Sequence, residues 1–146
     1  MSLYSLSVRT SNVTINQACW EIYTPSTLCI KIFEIGISTV TAQTMILGLA
    51  KPLAAGVGQT TPANFIAEQD SGLPTSKTLS AVAWGTSAPT IATAGFLRRV
   101  SIVSAIGAGV IWTFPRGLYV PASSSMCIHN ISASTGFLDC WCVIDE

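Results

Sequence analysis

Charge is scarce in this chain. Only 10% of its residues are Asp, Glu, Lys or Arg, against about 25% in an ordinary soluble domain. Seven basic and seven acidic residues cancel to a net charge of zero and are scattered, so there is no basic footprint for DNA or RNA, and no nucleic-acid partner is expected. Histidine occurs once, which removes the clustered imidazoles of metal-dependent sites. The five cysteines, Cys19, Cys29, Cys127, Cys140 and Cys142, form no Cys-x-x-Cys pair. Their odd number argues against a disulfide framework and for free, buried thiols. Cys140 and Cys142 share one face of a predicted strand, but only His129 and distant cysteines are left to complete a tetrahedron, so no metal is expected.

Long apolar runs are also missing. The best candidate, residues 91–112, is interrupted by Arg98 and Arg99 and falls short of the ~20 apolar residues that a spanning helix needs, so no membrane partner is expected. The opening nine residues lack the basic and continuous apolar regions of a secretory signal, and the chain is expected to be made and kept in a cytoplasm.

Catalytic and cofactor signatures are absent too. There is no Gly-x-Ser-x-Gly, and the acidic residues suggest no carboxylate pair for glycoside hydrolysis. Gly56-Val-Gly58 is followed by Gln-Thr-Thr-Pro rather than by a helix, and Lys77-Thr78 has no glycine loop before it, so neither phosphate cradling nor a cofactor is expected. His129 and Asp139 suggest a dyad, but without a nucleophile they read as a hydrogen-bonded pair. The chain is not expected to be an enzyme.

What the sequence does have is apolar residues, 49% of the total, in strand-like alternation. A chain so apolar and so poor in charge has little to hold copies apart, and much of its surface is expected to be covered by other protein. A period of two predicts strands over residues 3–9, 18–23, 28–38, 44–50, 79–84, 96–103, 109–114, 125–131 and 137–144. Such a chain is all-β: one antiparallel β-sandwich domain over residues 1–146, a jelly roll of eight or nine strands. In residues 28–37 the apolar phase slips between Ile32 and Phe33, which predicts a β-bulge in a long strand that passes between the sheets' edges. Residues 51–95 turn to Ala, Gly, Pro, Ser and Thr, and the prolines there predict long surface loops. Residues 132–136 read as a hairpin connection that sets His129 opposite Asp139, Cys127 opposite Trp141 and Met126 opposite Cys142. Met126, Ile128, Leu138, Cys140, Cys142 and Ile144 then face the core. Arg98 and Arg99 point to opposite faces, so one is expected to reach solvent or to pair with a carboxylate, Glu21 or Glu34.

Several stretches carry a family resemblance: Leu3-Tyr-Ser-Leu-Ser-Val-Arg-Thr10, Ala18-Cys-Trp-Glu-Ile22, Ala81-Val-Ala-Trp-Gly-Thr86, Phe96-Leu-Arg-Arg-Val100 and, above all, residues 107–121, Gly-Ala-Gly-Val-Ile-Trp-Thr-Phe-Pro-Arg-Gly-Leu-Tyr-Val-Pro. In these the chain resembles small phage virion proteins that decorate or cement the icosahedral head. The resemblance implies a jelly roll similar to the tumour-necrosis-factor fold, a homotrimer, the phage major capsid protein as partner, and a place on the capsid exterior. The aromatic strand faces place the trimer interface on Trp112, Phe114, Phe137 and Trp141. Capsid contact is assigned to Tyr4, Arg9, Arg99 and Arg116, with residues 114–117 read as a turn that displays Arg116 and uses Gly117 for a positive φ. The alternative is a receptor- or carbohydrate-binding trimer of a tail fibre or tail tip, with Trp84, Thr86 and Ser87, or Tyr119, as its contact surface.

Overall fold

The computed structural model describes residues 2–68, 72–91 and 95–146. Thirteen strands occur among them: β1 (Leu3–Arg9), β2 (Gln17–Tyr23), β3 (Ile30–Thr39), β4 (Met45–Ala50), β5 (Val57–Gln59), β6 (Ala63–Asn64), β7 (Ile66–Ala67), β8 (Leu79–Ala81), β9 (Trp84–Ser87), β10 (Phe96–Ile102), β11 (Gly109–Val120), β12 (Ser125–Asn130) and β13 (Leu138–Asp145). They form a five-stranded sheet in the order β11-β3-β13-β1-β7 and a six-stranded sheet in the order β10-β4-β12-β2-β8-β6, with β5 and β9 paired separately. All pairings are antiparallel. The eight longer strands fall four to a sheet, and chain order alternates between the sheets except where β10 pairs back onto β4. This is a jelly-roll β-sandwich.

Alternation decides which side chains are inside. Ile32, Ile35 and Ile37 of β3, Leu138, Cys140, Cys142 and Ile144 of β13, and Leu47 and Leu49 of β4 are all buried between the sheets. The inward set expected for β12 and β13 is correct, but their pairing is not. β12 pairs with β2 and β4, whereas β13 pairs with β1 and β3, so residues 131–137 bridge the two sheets and close no hairpin. His129 lies beside Ala18 and Gly48, and Asp139 beside Arg9 and Ser38. Parity belongs to each strand alone, and it survives the exchange of partners.

The bulge in β3 is where the apolar phase slips. Glu34 pairs with Val143 and Ile32 with Ile144, which leaves Phe33 as the extra residue. The same strand shows a shift against β11, where residues 114–117 intervene between Thr113 and Leu118. Residues 114–117 therefore form an irregularity inside a long strand and no separate turn, although Gly117 does take φ +72°. β3 stays within one sheet, between β11 and β13, rather than crossing between edges.

The described part of residues 51–95 is more structured than a set of loops. It contributes β5 to β9, with β7 and β6 at sheet edges, where proline-rich sequence is tolerated. Polar contacts fasten it to the sandwich. Trp20 Nε1 donates to Ser80 Oγ at 2.6 Å, Tyr4 OH donates to Pro74 O at 3.1 Å, and the Lys77 amide donates to the Glu146 carboxylate at 2.8 Å.

Candidate interaction surface

Four connections meet at one end of the sandwich. Val13 N donates to Gly136 O, Val40 N to Phe137 O, and Gly107 N to Thr39 O, each at 2.8–3.0 Å. Ser104 Oγ donates to Ala42 O at 2.9 Å, and Asn130 Nδ2 donates to Ser134 O at 2.8 Å. These bonds stitch together residues 10–16, 40–44, 103–108 and 131–137, and not one of those residues is Asp, Glu, Lys, Arg or His. Among exposed uncharged polar residues such as Asn12, Asn16, Gln43 and Thr44, the end carries large apolar side chains: Ile106 is 76% exposed, Val103 68%, Ile15 42% and Phe137 40%. Hydrogen bonds between the loops fix the backbone that carries these side chains.

A second surface, of mixed apolar and polar character, lies on the outer face of the five-stranded sheet. Register sets Ile111, Gly36, Trp141 and Ser7 in one row, and Thr113, Glu34, Val143, Ser5 and Ile66 in the next. Charged residues bound these rows, Lys31 and Asp145 on one side and Arg9 and Asp139 on the other. The Trp141 ring occupies the space a side chain at Gly36 would need, and its Nε1 donates to Glu34 Oε1 at 3.0 Å. Ile111, Trp141, Val143 and Ile66 stand there among Ser5, Ser7, Thr113 and Glu34, a mixture of apolar and polar groups that protein interfaces also show.

The sequence-predicted contact residues are dispersed. Trp112 and Phe114 are buried in the core because Val110, Trp112 and Phe114 share the inward parity of β11. They cannot form a trimer interface. Tyr4 is likewise buried and is corrected from a capsid contact to a core residue. Phe137 lies at the charge-free end and Trp141 on the outer sheet face. Arg9, Arg99 and Arg116 are exposed, but Arg9 is held by Asp139 in a two-pronged pair at 2.8 and 2.9 Å. Each partner shifts the other, which lowers the Asp139 pKa and raises that of Arg9. Among the described residues neither Arg98 nor Arg99 pairs with a carboxylate. Arg98 sits over Phe114 and Arg99 over Phe96, 5.6 and 5.4 Å from the ring centres, because β10 is an edge strand with a register shift after Phe96.

Four thiols, those of Cys19, Cys127, Cys140 and Cys142, are buried and Cys29 is exposed. Desolvation pushes the Cys127 thiol up to about 12 and likewise raises the Cys19, Cys140 and Cys142 thiols, which makes them inert packing groups. The charge-free end was missed in the sequence because its four segments are far apart. Only the topology joins them.

No protein-family model, no curated protein and no solved structure matches this chain significantly.

Proposed function

We propose that the chain is a structural virion protein: a phage head decoration or cement protein that forms homotrimers and stabilises the capsid by bridging major capsid protein subunits. The charge-free end carries this reading. Exposed apolar patches of this kind mark surfaces that other protein covers, and contacts between like subunits are the more apolar class. Phe137, Ile106 and Val103 at that end, together with Trp141 and Ile111 on the outer sheet face, supply the contacts between copies. A closed ring of three needs two different patches on each copy, and the molecule has two. Arg9, Arg99 and Arg116, exposed and outside that end, supply the contacts with the shell. Because such a protein binds the assembled shell and not its dissociated subunits, it stabilises the shell by mass action without turnover.

Co-sedimentation with empty heads from the same phage tests the reading. Many copies should pellet with each head, heads should disassemble at higher temperature when decorated, and R99A/R116A should reduce the bound amount. Failure of the intact trimer to pellet with heads overturns the capsid role.

A further inference from the structure

Two grooves on the outer side of the six-stranded sheet share Gln17 and Ala88 and so run together as one trough. The first, of about 610 Å³, passes Ile91, Phe96, His129 and Ile131. The second, of about 420 Å³, passes Asn12, Thr14, Trp84, Thr86 and Ser87. No Asp, Glu, Lys or Arg lines either part. The polar side chains on its walls are hydroxyls, carboxamides, the Cys19 thiol and the His129 imidazole. Burial lowers the His129 pKa, so this imidazole too is mainly uncharged at neutral pH.

Trp84 is fixed in the wall from behind. Glu21 is fully buried. Its Oε1 accepts from Gly56 N at 2.9 Å and its Oε2 from Trp84 Nε1 at 2.8 Å. The indole also occupies the space a side chain at Gly56 would need. A ring held in this way loses little freedom when a ligand settles on it. It therefore offers a rigid apolar plate beside the hydroxyls of Thr86 and Ser87.

The lining selects a ligand class. Amides and hydroxyls both donate and accept, as sugar hydroxyls do, and a pyranose ring presents a C–H face that packs on an indole. Among the lining residues an anionic ligand would find no counter-charge; Arg99 stands over Phe96 but does not itself line the trough. An extended peptide that adds to a sheet would need an open strand edge; β2 and β12 under the trough are paired on both sides, and only β9 and β10, whose Trp84, Thr86, Ser87 and Phe96 line it, have a free edge. We propose that the trough is a binding site for a neutral oligosaccharide. The trough reaches the charge-free end at Asn12, Thr14 and Ile131 but uses none of the arginines.

The test is titration of the full chain with maltohexaose, cellohexaose, chitohexaose and mannohexaose, followed by amide and indole NMR shifts. At least one should shift the Trp84 indole and the Gln17 amide saturably, with an affinity unchanged by added salt. Gln17→Ala and Asn12→Ala, which leave Glu21 and Trp84 alone, should each weaken binding by up to about tenfold, the weight of one or two hydrogen bonds. The proposal is overturned if none of the four sugars binds at millimolar concentration, or if the shifts map away from the trough. A response only to a Ser/Thr-rich peptide overturns it as well, as does binding that both variants leave unchanged while their spectra remain native.

Discussion

At the scale of single residues, Glu21 and His129 show how two polar groups on the same sheet are treated differently. Glu21 is fully enclosed and both its oxygens are used, one on the backbone of Gly56 and one on the indole of Trp84. Glu21→Ala strands both donors at about 1–3 kcal/mol each. Urea denaturation should therefore show a large loss of stability, and proteolysis within residues 51–68 should accelerate. His129 is half-buried and its Nδ1 has no hydrogen-bond partner among the described residues. Its folded pKa lies below the ordinary 6.5, so the unfolded chain binds the proton more readily. The resulting stability is complete above 6.5 and is lost as pH falls through the window below it. His129→Gln should flatten the fall in melting temperature between neutral pH and about pH 5. Asp139, whose pKa is lowered by Arg9, contributes its own loss only as pH falls below the ordinary 3.8, so the two effects separate along the pH axis.

At the scale of elements, strand existence and facing were legible because alternation is local. The slip between Ile32 and Phe33 located the bulge of β3 from apolar phase alone. Strand pairing was not legible. Neighbours in sequence are usually neighbours in space, and that rule made a hairpin of β12 and β13, which lie in different sheets. The inward places of Trp112 and Phe114 were legible in principle, since Gly109 and Thr113 hold the opposite parity. Aromatic size masked that signal. The irregularity in β11 opposite the bulge depends on Gly117. At φ +72° a side chain is strained, and a Cβ there would lie 2.8 Å from Lys31 Cβ. Gly117→Ala should cost about 1–2 kcal/mol, read as a lower denaturation midpoint with an unchanged slope, because the rest of the sandwich stays folded as before.

At the scale of the whole molecule, the shortage of charge has a location. It is concentrated where four connections converge, and exposed Ile106, Val103 and Phe137 stand there with no charged residue among them. The composition made the shortage of charge legible, but not its place on the surface, because residues 10–16 and 131–137 become neighbours only through the jelly-roll crossings. If this end associates copies of the chain, a charge placed on it should separate them without disturbing the core. Ile106 is a suitable site, being 76% exposed in a connection. Ile106→Lys is expected to leave the melting temperature of the dilute protein within a few degrees of its starting value, as surface substitutions usually do.

The most direct measurement is the solution mass of the intact chain and of Ile106→Lys by light scattering over a range of concentrations. The account predicts three times the 15.4 kDa of one chain for the unaltered protein and a shift towards one chain for the variant. A monodisperse monomer at all concentrations would contradict it, as would a trimer that Ile106→Lys leaves intact.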